Sequence, residues 1–354
     1  MTNVHLLAVG ARTPMGQTAE ASVAAARAGL SQLVDHPFLV DKVAEPIRVA
    51  RDASLEAALM GPERLIRMGT TALGEVCAQL ARMRSLATKI PLYLALPEER
   101  PGWTVEDTQA VARGLSARRF GLQFDRVEVV AKGHAAGLMA LSAACERIES
   151  GTVELCVIVG LDSYLRLETL AWLEHGRQLA TSYHRGAFFP GEAAAACAVA
   201  SESLMRRLGI PSLALVRGVG VTLEPRRIKT DTVVLGEGLT ACVKTAIKSL
   251  RLPGEMVQGI ICDINGERYR SEEWGLTLLR LPAALADPTS YDAPASNWGD
   301  VGAASGPLFI TIAAIAGKRG WAKGSIYLVW NSSEAGHRAA AVLQLAAPQH
   351  ASLS

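Results

Sequence analysis

The chain has 354 residues, of which 49% are hydrophobic and 20% are charged, and its formal net charge is +2. This composition is typical of a globular protein with a large core and excludes a disordered chain. The densest cationic cluster, residues 224–229, is too short to form the basic stripe of a nucleic-acid-binding surface, so we expect no nucleic-acid partner.

Short apolar runs and helical patterns alternate along the first half of the sequence. The apolar runs predict strands at residues 4–9, 90–96, 127–131 and 154–160. The run at 154–160 is apolar on both faces, which is typical of a buried parallel strand. Helical patterns begin near Glu20, at Thr104 as the predicted N-cap, and after Gly133, where an alanine-rich stretch predicts a buried helix that ends at Glu149.

The second half repeats this order loosely. Strands are predicted at residues 213–221, 258–264, 325–330 and 339–345, and helices at 239–250 and within 299–317. Strands that alternate with helices, in two related halves, predict an α/β protein whose sheets are covered by helices. We expect the halves to be residues 1–205 and residues 206–354. Gly218-Val219-Gly220 lacks the third glycine and the acidic residue of a dinucleotide fingerprint, so no cofactor is predicted.

The cysteines predict a reducing environment. They are scattered, form no C-x-x-C pair and are expected to be buried thiols; they are Cys77, Cys145, Cys156, Cys197, Cys242 and Cys262. No metal site is predicted. The apolar run at 4–9 lacks the basic flank of a signal peptide, and no apolar run approaches the ~18 residues that span a bilayer. We therefore expect a cytoplasmic protein without a membrane partner.

Four ordered segments resemble motifs of the β-ketoacyl synthases of the thiolase superfamily. They are residues 8–16 (A-V-G-A-R-T-P-M-G), 188–195 (F-F-P-G-E-A-A-A), 236–246 and 299–306 (G-D-V-G-A-A-S-G). The resemblance implies a thiolase-like fold, in which two pseudo-duplicated halves form a layered α-β-α-β-α arrangement. The chain is shorter than usual for that family, which implies trimmed loops around the acyl tunnel.

The positions that carry chemistry in that family hold other residue types here. The family uses a cysteine nucleophile at the start of a buried helix and two histidines that polarise a thioester carbonyl. By the resemblance, His134 occupies the cysteine position, Asn265 the first histidine position and Asp300 the second, and the family's nearby lysine falls near Ala295. The resemblance therefore implies a scaffold that has lost Claisen condensation.

The family's glycine-rich N-S-F-G-F-G-G loop, which helps to form the oxyanion hole, is also altered. It matches residues 331–337, where the asparagine and serine remain but the phenylalanines and most glycines are absent. A carboxylate at Glu334 is unfavourable beside a developing oxyanion.

Other residues could in principle supply chemistry at the same place. The family fold brings His134, Asn265, Glu267 and Asp300 together, and such a group could act as a general acid and base or bind a cation weakly. The simpler interpretation is that His134 fills the former pocket, because new chemistry requires several coordinated roles and filling requires one. We therefore assign none of the four as catalytic. Cys145, Cys156 and Cys262 are interpreted as buried core thiols rather than substitute nucleophiles.

The leading functional hypothesis is a pseudoenzyme that acts through a protein partner. Condensing enzymes are two-fold dimers, and residues 154–160 match the region near their dimer seam, so we expect a homodimer or a heterodimer. Two degenerate kinds of relative fit: the chain-length factor, which pairs with an active synthase, and the thiolase-like accessory protein encoded with type VI secretion effectors. Chain-length factors carry a glutamine where His134 stands, which favours the second.

Two alternatives remain. The first is a β-ketoacyl-synthase-like acyltransferase that handles thioesters of acyl carrier protein or coenzyme A with an unusual site around His134. It predicts covalent acylation or thiol release that His134→Ala abolishes. The second is a ligand sensor that keeps the acyl tunnel but has no chemistry.

Overall fold

The computed structural model describes residues 3–81, 90–228, 230 and 232–348. The strands are β1 (Val4–Arg12), β2 (Leu33–Val40), β3 (Pro46–Ala50), β4 (Pro91–Leu96), β5 (Arg126–Ala131), β6 (Leu155–Ser163), β7 (Glu192–Ser201), β8 (Ala214–Leu223), β9 (Gly259–Cys262), β10 (Ile326–Ser332) and β11 (His337–Leu345). The helices are α1 (Ala19–Arg27), α2 (Gly61–Gln79), α3 (Val105–Ser116), α4 (Ala136–Glu149), α5 (Leu167–His175), α6 (Glu202–Leu208), α7 (Glu237–Ile247), α8 (Arg268–Leu278), α9 (Ala295–Trp298) and α10 (Ser305–Lys318).

Nine of these strands form one sheet in the order β5-β4-β6-β7-β1-β8-β11-β10-β9, and β2 pairs with β3 in a separate hairpin. The two halves of the chain meet at the antiparallel pairing of β1 with β8, where Val4 lies opposite Val216. The order β6-β7-β1 on one side corresponds to β10-β11-β8 on the other, and α4 and α10 precede β6 and β10. This correspondence fits two related halves.

Three of the four clusters of buried hydrophobic side chains lie between the layers, and the fourth packs β3 against α5. The central cluster is formed by α4, α10 and the strand faces turned toward them. The second packs α2 and α3 on the outer face of the first half of the sheet, and the third packs α7 and α8 on the outer face of the second half. The layers therefore follow the order α-β-α-β-α, as the resemblance implied.

The two central helices approach each other at matching glycines. A three-residue turn of 3₁₀ helix precedes each, at Gly133–Ala135 before α4 and at Gly302–Ala304 before α10. A Cβ on Gly137 would lie 2.3 Å from Cδ of Pro307, and one on Gly306 would lie 3.1 Å from the amide nitrogen of Leu138. Because neither Gly137 nor Gly306 carries a side chain, the first turns of α4 and α10 approach each other closely.

Several sequence predictions are refined by the structure. The strand predicted at 154–160 is β6. It pairs in parallel with β4 and antiparallel with β7, so the prediction of a parallel strand is correct for one of its two edges. The resemblance placed this strand near a dimer seam, yet both of its edges are paired. Within the described part of the chain, the unpaired outer edge of the first half belongs to β5 instead.

Element lengths also differ. The helix predicted at 239–250 ends at Ile247, and the strand predicted at 258–264 is only Gly259–Cys262. No element was predicted for residues 61–79, which form α2 against β1 and β7. One face of α2 is buried. Leu65, Met68 and Ala72 lie on it at intervals of three and four residues, which is the spacing of a helix face.

Candidate functional site

The turn that begins α4 is held by a loop from the other half of the chain. Gly133 has φ +60°, a left-handed conformation that favours glycine. The amide of Ala135 donates to Oγ of Ser333 at 2.8 Å, and that hydroxyl donates to the carbonyl of Lys132 at 2.5 Å. His134 is thus presented on a fixed turn, with its side chain buried.

His134 and Asp300 form a buried ion pair. Nε2 of His134 lies 2.8 Å from Oδ1 and 3.0 Å from Oδ2 of Asp300, so this nitrogen carries the proton that it donates. Oδ1 of Asp300 also accepts the amide of Gly302 at 2.8 Å, at the turn that begins α10. Asp300 therefore joins the starts of the two central helices.

The two side chains shift each other's pKa. Burial opposes the imidazolium of His134, but the facing carboxylate of Asp300 outweighs it and raises the pKa above the ordinary value of 6.5. Burial likewise opposes the carboxylate of Asp300, yet His134, Arg270 and the Gly302 amide hold its pKa well below the ordinary value of 3.8. Asp300 is therefore a carboxylate near neutral pH, and it favours the protonated form of His134.

Asn265 and Glu267 complete the predicted set. Nδ2 of Asn265 donates to Oδ2 of Asp300 at 2.6 Å and to Oε2 of Glu267 at 3.1 Å, and Oδ1 of Asn265 accepts the amide of Glu267 at 3.0 Å. The structure therefore brings His134, Asn265, Glu267 and Asp300 together, directly after β9 and at the starts of α4 and α10.

Arg270 lies at the centre of this group and was missed from the sequence. Its guanidinium is fully buried; NH1 lies 3.0 Å from Oδ2 of Asp263, Nε lies 3.3 Å from Oε2 of Glu267, and NH2 lies 3.4 Å from Nε2 of His134. The sequence signal that could have identified Arg270 is its position three residues after Glu267, because side chains at that spacing can meet on a helix. The signal was not used because α8 was not predicted. Arg270 and His134 together balance three neighbouring carboxylates.

The loop that matches the oxyanion-hole motif is occupied by carboxylates. The amide of Ala335 donates to Oε2 of Glu98 at 3.3 Å, and Oε1 of Glu334 accepts a hydrogen bond from the side chain of Gln178. Burial raises the pKa of Glu98 above its ordinary value, an effect that the Ala335 amide partly offsets. An amide that already faces a carboxylate is not available to stabilise an oxyanion. Glu98 and Gln178 were also missed from the sequence.

The glutamate of the F-F-P-G-E segment is structural. Glu192 is fully buried; its Oε1 lies 2.6 Å from NH2 of Arg64 and its Oε2 lies 2.6 Å from Nε of the same guanidinium. Its Oε1 also accepts the amide of Asp52 at 2.8 Å. A bidentate pair of this kind fixes α2 against the start of β7.

The cysteines offer no substitute nucleophile. All six are buried. Burial raises the pKa of Cys156 and of Cys197 to about 12, and it raises the pKa of Cys145 and Cys262 as well. A thiol with a raised pKa remains protonated at neutral pH and is a poor nucleophile.

The described residues form neither a metal cluster nor a membrane-spanning helix. Within the residues that the structure describes, no group of three or more His, Cys, Asp or Glu side chains is arranged to hold a metal ion. No helix in that same part of the chain is long and apolar enough to cross a membrane.

Comparison with known proteins gives matches at the level of structure. No family model matches the sequence, and no curated protein matches it. A ketosynthase domain of oxazolomycin biosynthesis from Streptomyces albus JA3453 superposes with a TM-score of 0.79 at 15% identity, over 99% of this chain and 75% of that one. The chain has the ketosynthase fold.

Two further solved ketosynthases are similar. A type II polyketide ketosynthase in complex with its acyl carrier protein has a TM-score of 0.78 at 13% identity, over 98% of this chain and 100% of that one. The ishigamide ketosynthase/chain length factor has a TM-score of 0.69 at 21% identity, over 97% of this chain and 99% of that one. In the ketosynthase fold adopted here, the segment after β9 and the starts of α4 and α10 converge, which explains why Asn265, His134 and Asp300 meet.

Proposed function

We propose that this protein is a non-catalytic ketosynthase-like protein that acts by binding a protein partner. The observation that carries the proposal is the network at the former active-site positions. His134, Asn265 and Asp300 are bonded to one another, and the buried guanidinium of Arg270 lies against them. The side chains of the set therefore bond to one another.

The charges oppose condensation chemistry. Decarboxylation of a malonyl thioester develops negative charge, which must be stabilised by hydrogen-bond donors or cations. Here the carboxylates of Asp300 and Glu267 accompany the histidine, and the amide of Ala335 faces Glu98. The facing carboxylate of Asp300 favours the protonated form of His134, which is a poor nucleophile.

An unpaired sheet edge is available for assembly. No strand of the described residues pairs with the outer edge of β5, where Val129 is 43% exposed. Such an edge is a template for a strand from another chain, so we place a homodimer or heterodimer contact here.

The expected role is that of an accessory protein, or adaptor, for a type VI secretion effector, in the cytoplasm. Support for this partner comes from the resemblance to degenerate thiolase-like accessory proteins. The second candidate is a chain-length-factor-type subunit of an active synthase that handles acyl thioesters. The likeness to the ishigamide ketosynthase/chain length factor, at 21% identity over 97% of this chain, favours it.

The test is purification of the tagged full-length chain from its native organism, with identification and stoichiometry of bound proteins by mass spectrometry. We expect one near-stoichiometric partner that re-forms a complex from purified components. A secretion effector would support the adaptor role, and an active synthase would support the second candidate.

A parallel assay tests the catalytic alternative. The purified chain is incubated with acyl and malonyl thioesters, and intact mass and carbon dioxide release are followed. We expect neither acylation nor decarboxylation above the level of His134→Ala. Turnover that this substitution abolishes would overturn the non-catalytic proposal.

A further inference from the structure

A groove on the outer helical layer has an unusual charge. It runs between the end of α7 and the segment that follows α8, and its volume is about 790 Å³. Its charged lining consists of Lys244, Lys248, Arg251 and Arg280, and no carboxylate lines it. The groove lies beyond the end of α8, whereas Arg270 of the His134 network lies in the first turn of that helix.

The four cations form no close ion pairs with the residues that the structure describes. Among the described residues, no carboxylate lies within ion-pair distance of any of them. Glu255 lies beside Arg251, but its carboxylate is bound to the guanidinium of Arg217 at 3.0 Å and to the backbone amide of Arg251 at 2.9 Å. Hydrogen bonds from Arg217 and from that amide, together with the charges of Arg217 and Arg251, lower the pKa of Glu255. Arg280 is held in place by the carbonyls of Leu235 and Leu276.

The floor of the groove is apolar. Ile247 and Leu250 are buried within it, and Leu252 is 37% exposed at its edge. Leu279, on the segment that follows α8, is 83% exposed. Cations that surround a concave apolar floor match a ligand with both carboxylates and apolar side chains.

We infer that this groove docks an acidic amphipathic segment of a protein partner. Carboxylates of the segment pair with Lys244, Lys248 and Arg251, and its apolar side chains contact the leucines of the floor. This inference rests on the proposed adaptor function in one respect, which is that the ligand is a protein. Nucleic acid would match the charge but has no aliphatic side chains for the floor, and a membrane surface would meet a convex face better than a groove.

The test uses a defined probe and matched variants. The probe is a fluorescein-labelled peptide of eighteen leucine and glutamate residues, about five helical turns, with leucines at every third and fourth position. The groove variant is Lys244→Glu with Lys248→Glu, so that it and the control variant each reverse two charges. The control variant is Arg118→Glu with Arg119→Glu, which reverses two exposed cations beside Phe120 in another open pocket. Anisotropy titrations of the full-length proteins give the affinities.

We expect saturable binding that weakens with salt, at least about tenfold weaker for the groove variant and unchanged for the control variant. A neutral variant, Lys244→Gln with Lys248→Gln, gives an intermediate loss, and circular dichroism confirms that each variant is folded. Equal binding by the groove variant would overturn the inference. So would tighter binding of a lysine and leucine peptide, or groove-dependent binding of phosphatidylglycerol vesicles or duplex DNA without binding of the acidic peptide.

The partner isolated for the proposed function separates the two claims. If wild type and the groove variant capture that partner equally, the groove inference fails and the adaptor proposal stands. If no partner is captured, the adaptor proposal fails, and the peptide titration still decides whether the groove binds an acidic segment.

Discussion

Nε2 of His134 lies 2.8 Å from Oδ1 of Asp300, and this contact joins the turn that begins α4 to the turn that begins α10. The exposed fraction is 4% for His134 and 3% for Asp300. A buried charge is tolerated only when it is paired, so the two halves of the protein depend on each other at this point.

The first prediction concerns the strength of this coupling. Because each single substitution leaves a buried charge without its partner, His134→Ala and Asp300→Ala should each lower the free energy of unfolding by roughly 3–5 kcal/mol. The double variant should lose less than the sum, as guanidinium-induced unfolding at about pH 6 would measure. Additive losses would contradict the coupling. Arg206→Ala, which breaks an exposed pair with Glu202, is the control and should cost less than about 1 kcal/mol.

The second prediction concerns pH. Asp300 raises the pKa of His134 above 6.5, so the contribution of His134 to stability is complete below that value and is lost as the pH rises through the folded pKa. The pKa of Asp300 is lowered, so its contribution is present above 3.8 and is lost as the pH falls. The difference in unfolding free energy between wild type and His134→Gln should therefore be largest between these values and shrink above pH 6.5.

Denaturant unfolding of both proteins at a series of pH values checks this. The comparison cancels titrations that the two proteins share, such as those of Glu75 and Glu273, whose pKa values burial raises. A difference that grew as the pH rose beyond 6.5 would contradict the charged state assigned to His134.

The third prediction concerns the crossing of the central helices. Gly137→Ala would place Cβ 2.3 Å from Cδ of Pro307, so α4 and α10 must move apart, at a cost of about 1–3 kcal/mol in unfolding free energy. Gly74→Ala in α2 is the matched control, because no atom outside its chain neighbours and the backbone of its own helix lies within 4 Å of a Cβ built there. The control should gain up to about 1 kcal/mol from helix propensity. Thermal unfolding that ranked the two variants the other way would contradict the close approach.

The fourth prediction concerns Arg270. Its removal leaves Asp263 and Glu267 without their buried cation, so Arg270→Ala should lower the unfolding free energy by roughly 3–5 kcal/mol. Arg268 lies two residues earlier on the same helix and forms an exposed pair with Glu272. Arg268→Ala should change stability by about 0.5 kcal/mol or less. Equal losses for the two variants in chemical denaturation would show that Arg270 is not a structural centre of the network.

The fifth prediction concerns chemistry. His134→Cys alone should release no more carbon dioxide from a malonyl thioester than wild type, because Asn265 and Asp300 supply no cationic donor for the developing enolate. Adding Asn265→His and Asp300→His to that variant should raise the rate. A single variant as active as the triple one would contradict the role given to the carboxylate.

Much of the fold could be predicted from the sequence. The runs that became β1, β4 and β6 are short, apolar and bounded by turn residues, so their local pattern is sufficient. The start of α3 followed from Thr104, whose hydroxyl accepts the amide of Asp107 in a capping box. Such signals are local, because capping and periodicity depend on residues a few positions apart.

The resemblance to β-ketoacyl synthases carried the prediction further. It identified His134, Asn265, Glu267 and Asp300 as neighbours in the fold. The first and last of these residues are 166 positions apart in the sequence. Periodicity alone contains no information about such contacts.

Only the tertiary structure decided what these residues do to one another. The amide of Ala135 meets Ser333 across 198 positions, Ala335 meets Glu98 across 237, and Arg270 meets His134 across 136. Whether a charge is buried, and which partner neutralises it, depends on how distant elements pack. The sequence around a charged residue looks the same whether its side chain is solvated or buried in an ion-pair network. The network around Arg270 could therefore be identified only from the packing of the two halves of the fold.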